Sequence, residues 1–166
     1  MSIVSVLLPE FDHEMATTRR VLERVPAHAF DWKPHEKSMS LGELCAHLAN
    51  IPAWCSAVLE LEGVDLSIDG DRYRSTFPQS PEGLIKDFEG KLAAARAKLV
   101  QQTDPELKAR WTLKNGGHEV FTLPRITAIR SFILNHSIHH RGQLTVYLRL
   151  NNVALPPVYG PTADEQ

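Results

Sequence analysis

The spacing of apolar residues constrains this chain most, because apolar positions recur every three or four residues in four long segments. The first segment covers 3–25 and the second covers 41–62. Ser40 and Glu43 form a capping-box pattern at the start of the second helix. Pro52 lies inside that helix and predicts a kink, because proline lacks the N–H that a helix hydrogen bond requires. Four such segments predict an all-α fold, a four-helix bundle.

Two further helices complete the predicted bundle. Ser80 followed by Pro81 is a typical helix start and begins the third helix. The fourth helix is predicted from Pro124 to about Leu150. The link 63–79 is long and rich in glycine, aspartate and serine. We therefore expect a long crossover between helices 2 and 3.

A short β-hairpin is predicted before the fourth helix. The segment 115–117, Asn-Gly-Gly, is a turn signal, and 111–113 and 119–121 flank it as strands. The proline-containing tail 151–166 is expected to form an extended arm. A length of 166 residues suits one domain, so we expect residues 1–166 to fold as a single helical-bundle domain.

Charge and cysteine content exclude several classes of protein. The 18 Lys and Arg residues nearly balance the 20 Asp and Glu residues, giving a formal net charge of −2 without the basic surface that nucleic-acid binding requires. Cys45 and Cys55 are too few for a disulfide scaffold and are predicted to be reduced thiols. No apolar run approaches the ~20 residues of a membrane span, and the apolar segment 3–8 lacks the basic residues of a signal peptide. We expect a cytoplasmic protein that binds neither nucleic acid nor membrane.

Eight histidines are the unusual count, and helix geometry selects three of them. At about 100° per residue, His47 faces inward with the apolar side of the second helix. His136 and His140 are four residues apart on the fourth helix, so their rings are neighbours on one face. Three imidazoles with open coordination positions are typical of a catalytic metal site, and nitrogen ligands suit Zn, Ni, Fe or Cu better than Mg or Ca. Spacing alone leaves open that these histidines are hydrogen-bonded core or surface residues.

Four other polar residues lie on or near the inward faces. Gln143 and Tyr147 follow the line of the two fourth-helix histidines, and His139 lies at the edge of that line. Glu14 lies in the apolar stripe of the first helix, either as a hydrogen-bonded core carboxylate or as a group linked to the metal or to proton transfer. These residues are candidates to support the ligands or to orient a substrate, and no catalytic residue is identified.

Several catalytic motifs do not fit the sequence. Ser137 follows His136 where the zinc-protease motif requires a glutamate. Only Glu10 with His13 matches the Glu-x-x-His pattern that di-iron bundles repeat on two helices. The sequence contains no Gly-x-Ser-x-Gly, no Walker loop and no dinucleotide fingerprint.

Five stretches of the sequence carry a resemblance to a known family. The most specific is Asn-His-Ser-Ile-His-His-Arg-Gly-Gln-Leu at 135–144. The others are Trp-Lys-Pro-His-Glu-Lys-Ser-Met-Ser at 32–40, Leu-Cys-Ala-His-Leu-Ala-Asn-Ile-Pro-Ala-Trp at 44–54, Tyr-Leu-Arg-Leu at 147–150, and Pro-Pro-Val-Tyr-Gly-Pro-Thr-Ala-Asp at 156–164. With these motifs the chain resembles, over nearly its whole length, the DinB-like family, which includes the YfiT-type proteins. Thr162 stands where similar proteins more often carry serine.

The resemblance implies a fold, a cofactor and an assembly. The implied fold is a four-helix bundle with up-down-down-up topology, commonly a homodimer. The implied cofactor is one divalent transition metal, with Zn or Ni favoured, held by His47, His136 and His140. Characterised relatives include transferases that attach low-molecular-weight thiols to electrophiles and a mycothiol-dependent isomerase.

The leading functional hypothesis is a metal-dependent thiol transferase, or a related hydrolase, that acts on a small-molecule thiol and an electrophile. In such an enzyme the cation would hold the sulfur of the substrate as thiolate. The alternative is a non-catalytic metal-binding protein that acts in stress or sensing. A third reading is a helical domain whose histidines bind nothing.

Overall fold

Four helices of 16 to 20 residues form the body of the fold in the computed structural model, which describes residues 1–165. They are α1 (Ile3–Leu22), α2 (Leu41–Glu60), α4 (Pro81–Val100) and α7 (Asn135–Leu150). Three short helices connect them: α3 (Leu66–Asp69), α5 (Asp104–Lys108) and α6 (Arg125–Ala128). The 3₁₀ turns Ala27–Ala29 and Gly70–Tyr73 lie in the connections.

The predicted helix starts are confirmed by their caps. The side chain of Ser40 accepts a hydrogen bond from the backbone N–H of Glu43, whose carboxylate accepts one from the Ser40 N–H. Ser80 accepts a hydrogen bond from the N–H of Gly83, and Pro81 occupies the first turn of α4. In both cases a side-chain oxygen pairs with a backbone donor that has no partner inside the helix.

The last helix contains an irregular turn that the apolar periodicity does not reveal. Residues 125–150 are helical throughout, but Ile129–Leu134, between α6 and α7, form a π-helical segment. A π turn adds a residue to the helical repeat and rotates everything after it. The turn therefore sets the direction in which the side chains of α7 point.

A three-stranded sheet corrects the all-α prediction. The predicted hairpin is present as β2 (Arg110–Asn115) and β3 (His118–Pro124), which pair antiparallel. Gly116 and Gly117 make the turn with φ of 61° and 78°, in the left-handed region that glycine adopts without strain. A strand was not predicted at β1 (Gly63–Asp65), which runs parallel to β2 from within the crossover link.

Gly63 explains how β1 reaches β2. A Cβ atom at this position would lie 2.5 Å from the carbonyl oxygen of Thr112, so only glycine permits this approach of the two backbones. The crossover that the sequence predicts as one long connection thus contains β1, α3 and a 3₁₀ turn. Three residues are too few to show the alternation by which a strand is predicted.

The core lies between α2 and its neighbours. Helix α2 packs against α4 and α7, and α1 also packs against both α4 and α7. Most of α2 is buried, including Cys45 and Cys55, which are free thiols as predicted. The fold is therefore a helical bundle with a small sheet and seven helices among residues 1–165, rather than four helices alone, and the up-down-down-up order stays a prediction. No helix in this part of the chain is long and apolar enough to cross a membrane.

Candidate metal centre

Three histidine side chains converge where the middle of α2 meets the start of α7. His47 Nε2 lies 3.1 Å from His136 Nε2, and the ring centroids of His47 and His140 are 4.6 Å apart. The centroids of His136 and His140 are also 4.6 Å apart, as expected for neighbours one turn apart on a helix. The two helices thus bring together the three histidines that helix geometry selects.

The spacing of the ring nitrogens fits one cation. One nitrogen from each of the three rings lies within 4.8 Å of the other two. Two nitrogen ligands about 2.1 Å from a tetrahedral cation are about 3.4 Å apart, close to the 3.1 Å between His47 and His136. Within residues 1–165, no carboxylate or thiol joins this group. The donor set is nitrogen alone, which suits a borderline transition metal.

The surroundings keep the three imidazoles neutral. Burial and, to a smaller extent, the neighbouring His140 and His136 together lower the pKa of His47 to about 4. Burial also lowers the pKa of His136 and of His140, although hydrogen bonds oppose these shifts. A neutral imidazole offers a lone pair, whereas an imidazolium offers none, so all three rings are available as ligands near neutral pH.

Gln143 supports the ligand set through His140. Its side-chain oxygen lies 2.7 Å from Nδ1 of His140, so Nδ1 donates the hydrogen bond and the lone pair is left on Nε2. The backbone of Phe132, within the π turn, is hydrogen-bonded to the ring of His136. Both fourth-helix histidines are therefore oriented by groups outside the cluster.

His139 and Tyr147 lie beside the cluster rather than within it. His139 is exposed, with its ring centroid 4.9 Å from that of His140, which agrees with its predicted place at the edge. The hydroxyl of Tyr147 donates to the carbonyl of Met39 at 3.3 Å, and its ring packs edge-on against Trp32 at 5.6 Å between centroids. Tyr147 therefore fixes residues 31–40, part of the connector between α1 and α2, against α7.

Glu14 is buried, as its place in the apolar stripe predicts, and its partner is an arginine. Its Oε2 accepts hydrogen bonds from Arg141 Nη2 at 2.6 Å and from the hydroxyl of Tyr159 at 2.9 Å. The same guanidinium donates to the carbonyl of Glu14 and to the hydroxyl of Thr18. Glu14 makes no hydrogen bond to any of the three histidines in the described chain, so the structure favours the core-carboxylate alternative.

Arg141 and Tyr159 were not among the predicted site residues. Arg141 is 1% exposed, although it adjoins His140 in the sequence, and it points to a different side of α7, where it pairs with Glu14. The burial of Arg141 could have been predicted from helical spacing, because it lies three or four residues from its neighbours in the series of buried residues Leu134, Ser137, Leu144 and Leu148. Tyr159 lies in the C-terminal arm, which carries no periodicity, and could not have been assigned in the same way.

A solvent-open groove of about 680 Å³ runs past the cluster. His47 forms part of its wall. The connector 33–39 and the segment 74–77 before α4 supply other parts of the lining. Its volume is within the range of about 300–1,000 Å³ that small-molecule sites occupy. A ligand in this groove would therefore lie against one of the three candidate metal ligands.

Three imidazoles from two helices of a helical bundle, one of them in the wall of a groove, define a helical protein with a candidate three-histidine metal centre. The DinB family model matches residues 1–166, so the chain belongs to the DinB family. This confirms the family resemblance that the sequence motifs indicated.

Similar proteins are known as sequences and as solved structures. The uncharacterised protein YrdA of Bacillus subtilis (strain 168) is 21% identical over 164 residues, covering 95% of this chain and 89% of YrdA. A DinB-like protein from Bacillus cereus ATCC 10987 superposes with a TM-score of 0.74 at 22% identity, covering 95% of this chain and 98% of the other. The DinB-like protein YjoA from Bacillus subtilis gives 0.69 at 21% identity, covering 92% and 95%. At these identities the likeness establishes the fold.

Proposed function

We propose that this protein is a metal-dependent thiol transferase that holds one divalent transition metal at His47, His136 and His140. The observation that carries the proposal is the convergence of three neutral imidazoles beside an open groove. A structural zinc site is closed by four protein ligands, whereas a catalytic site keeps a position for substrate. With three donors among the described residues and a groove alongside, the arrangement favours catalysis over a purely structural or storage site.

The described chain supplies ligands and orientation, and the carboxylate on the inward face of the first helix is not free to act as a general base. That carboxylate, Glu14, is buried and accepts hydrogen bonds from Arg141 and Tyr159. When bound, a divalent cation lowers the pKa of a thiol and holds it as thiolate, so no protein base is needed to activate the sulfur. The site therefore suits a substrate that the metal activates directly, such as a thiol, better than one that needs a protein base. In a related hydrolase that substrate would be water.

The proposed reaction is a substitution at an electrophilic carbon. The thiol proton passes to solvent, the sulfur forms a bond to that carbon, and the leaving group departs with the electron pair of its own bond. His47, His136 and His140 would hold the cation that binds the sulfur. Gln143 keeps Nε2 of His140 available by accepting a hydrogen bond from Nδ1–H.

Metal content and thiol conjugation test the proposal together. Untagged protein purified from cells grown with Zn and Ni is expected to carry about one metal ion per chain. The His47→Ala variant is expected to carry none. The metal-loaded protein should accelerate reaction of cysteine or glutathione with monochlorobimane, and chelation should abolish this. His118→Ala, an exposed histidine outside the cluster, is the control. Metal binding without acceleration for any thiol would favour the non-catalytic alternative, and absence of metal would overturn the proposal.

A further inference from the structure

We propose that the groove beside His47 binds a substrate thiol that carries a second, negatively charged group, a carboxylate in the simplest case. The inference deepens the proposed function and rests on it, since it assumes a cation at the three histidines. It names a substrate class: anionic thiols are preferred over neutral or cationic thiols of the same size.

The first reason is the charge of the metal centre. All three donors are imidazoles, which bind a cation as neutral ligands, and the group contains no carboxylate or thiol among residues 1–165. A divalent cation bound there would keep its full positive charge, because neutral ligands do not compensate it. A thiolate cancels only part of that charge, so the mouth of the groove stays positive after the sulfur has bound.

The second reason is the lining of the groove. Three cationic side chains, Lys33, Lys37 and Arg74, lie in its wall against two carboxylates, Glu36 and Glu43. Lys33 is paired with Glu43 at 3.4 Å. Lys37 and Glu36 are both exposed, and neither makes an ion pair within the described chain, so the ammonium of Lys37 is available to a ligand. Three cations against two carboxylates leave the lining with a net charge of +1, before the charge of a bound metal is added.

Arg74 is available in a different way. It is paired with Asp71 at 2.8 Å, but the two side chains are 79% and 90% exposed. An ion pair so exposed contributes little free energy, so a ligand carboxylate can compete with Asp71 for the guanidinium. The guanidinium fork also suits a carboxylate, because it can donate two parallel hydrogen bonds.

The two walls are held in place by packing, so the cations are positioned before a ligand arrives. Tyr147 fixes the connector that carries Lys37, through Met39 and Trp32. The wall that carries Arg74 is held by Phe77, whose ring packs edge-on against Phe30 at 6.1 Å between centroids.

Gly42 makes room for the ring of Phe77. A Cβ at this position would lie 2.7 Å from the ring, so the absence of a side chain lets the ring lie against α2. The second wall thus depends on a close approach that only glycine permits without movement of the ring.

Binding of matched thiols to the cobalt form tests the inference. The probes are 3-mercaptopropionate and 6-mercaptohexanoate, each compared with its methyl ester, and binding is followed by the sulfur-to-cobalt charge-transfer band. Each acid differs from its ester by one negative charge at nearly constant size, and the two chain lengths sample the groove. At least one acid should bind roughly threefold to tenfold more tightly than its ester.

Variants locate the preference. The pair Lys37→Ala with Arg74→Ala should reduce the preference for the acid, since only the charge of the metal then remains, while leaving cobalt content unchanged. The pair Lys86→Ala with Lys108→Ala, two exposed cations outside the groove, changes the net charge equally and should keep the preference. Equal affinity of acid and ester at both lengths, or a preference that is undiminished in the groove variant, overturns the inference and leaves the proposed function intact. Failure of cobalt to bind overturns both.

Discussion

Helix α7 carries two polar clusters on different sides, and they differ in how completely their polar atoms are paired. On one side, Arg141 is 1% exposed and its guanidinium donates to Glu14, Thr18 and Tyr159. On the other side, His47, His136 and His140 are partly buried, and their ring nitrogens face one another beside an open groove. His140 and Arg141 are adjacent in the sequence, so two positions on one helix serve two different purposes.

The comparison teaches how to read buried polar groups. A buried group whose hydrogen bonds are all made within the chain needs nothing further, and its loss is expected to affect stability. Three neutral imidazoles that face one another present lone pairs at one point, and a metal cation is the ligand that accepts them. We therefore assign Glu14, Arg141 and Tyr159 to the fold and the three histidines to function, and four predictions test this division.

The largest expected effect is loss of stability in Arg141→Met. The variant leaves the carboxylate of Glu14 buried without its cation, which costs about 3–5 kcal/mol in free energy of unfolding. Chemical denaturation of the metal-free protein measures it. Arg19→Met is the matched control, because Arg19 pairs with Glu23 and Glu89 on the surface and should cost less than about 1 kcal/mol.

The double variant Glu14→Met with Arg141→Met separates structure from function. Replacing both charges by apolar side chains of similar size should restore most of the lost stability. The folded double variant should bind metal as the wild type does. A stable double variant that no longer binds metal would contradict the division and would place Arg141 in the functional site.

The histidine cluster was predictable from the sequence because its geometry is local to two regular helices. A spacing of four residues brings His136 and His140 together on any helix, and the inward position of His47 follows from the apolar stripe of α2. The Glu14 pair was predictable only in part. The buried carboxylate was recognised, but Arg141 was not identified as its partner.

The remaining features depend on contacts between distant segments. β1 is three residues long and pairs with β2 through the close approach of Gly63 to Thr112, which no local pattern indicates. The groove is formed by two connectors, and the shape of a connector depends on packing such as that of Phe77 at Gly42 rather than on periodicity. These features require the tertiary structure.

The second prediction concerns the cluster itself. His140→Ala removes one of three donors, and we expect metal affinity to fall by more than about 100-fold, beyond the effect typical of residues that only support a ligand. The free energy of unfolding of the metal-free protein should fall little by comparison with Arg141→Met. Competition with a chelating indicator measures the affinity. Undiminished metal affinity in this variant would show that His140 is not a ligand.

The third prediction concerns Gln143, which contacts the cluster only through His140. Gln143→Ala removes the acceptor at 2.7 Å from Nδ1, and metal affinity should fall roughly 10-fold to 100-fold. Gln143→Glu keeps an acceptor at the same place and should bind at least as tightly as the wild type. Gln101→Ala, an exposed glutamine at the end of α4, serves as the control. If the alanine and glutamate variants bind metal equally well, Gln143 does not orient His140.

The smallest expected effect is the pH dependence of the metal-free protein. Burial lowers the pKa of His47 to about 4, and those of His136 and His140 are lowered too, whereas an unfolded histidine titrates near pH 6.5. Between these values the unfolded chain binds more protons than the folded chain, so the free energy of unfolding falls as the pH drops from about 6.5 towards about 4. Urea denaturation measures this slope.

The variant His47→Gln should flatten the slope, and the control variant His118→Gln should not. Hydrogen bonds lower the pKa of Asp65 to about 2, so its contribution is lost at lower pH and does not obscure the comparison. An equal slope in His47→Gln and the wild type would show that the cluster is not desolvated, and the contrast between the two sides of α7 would lose its electrostatic basis.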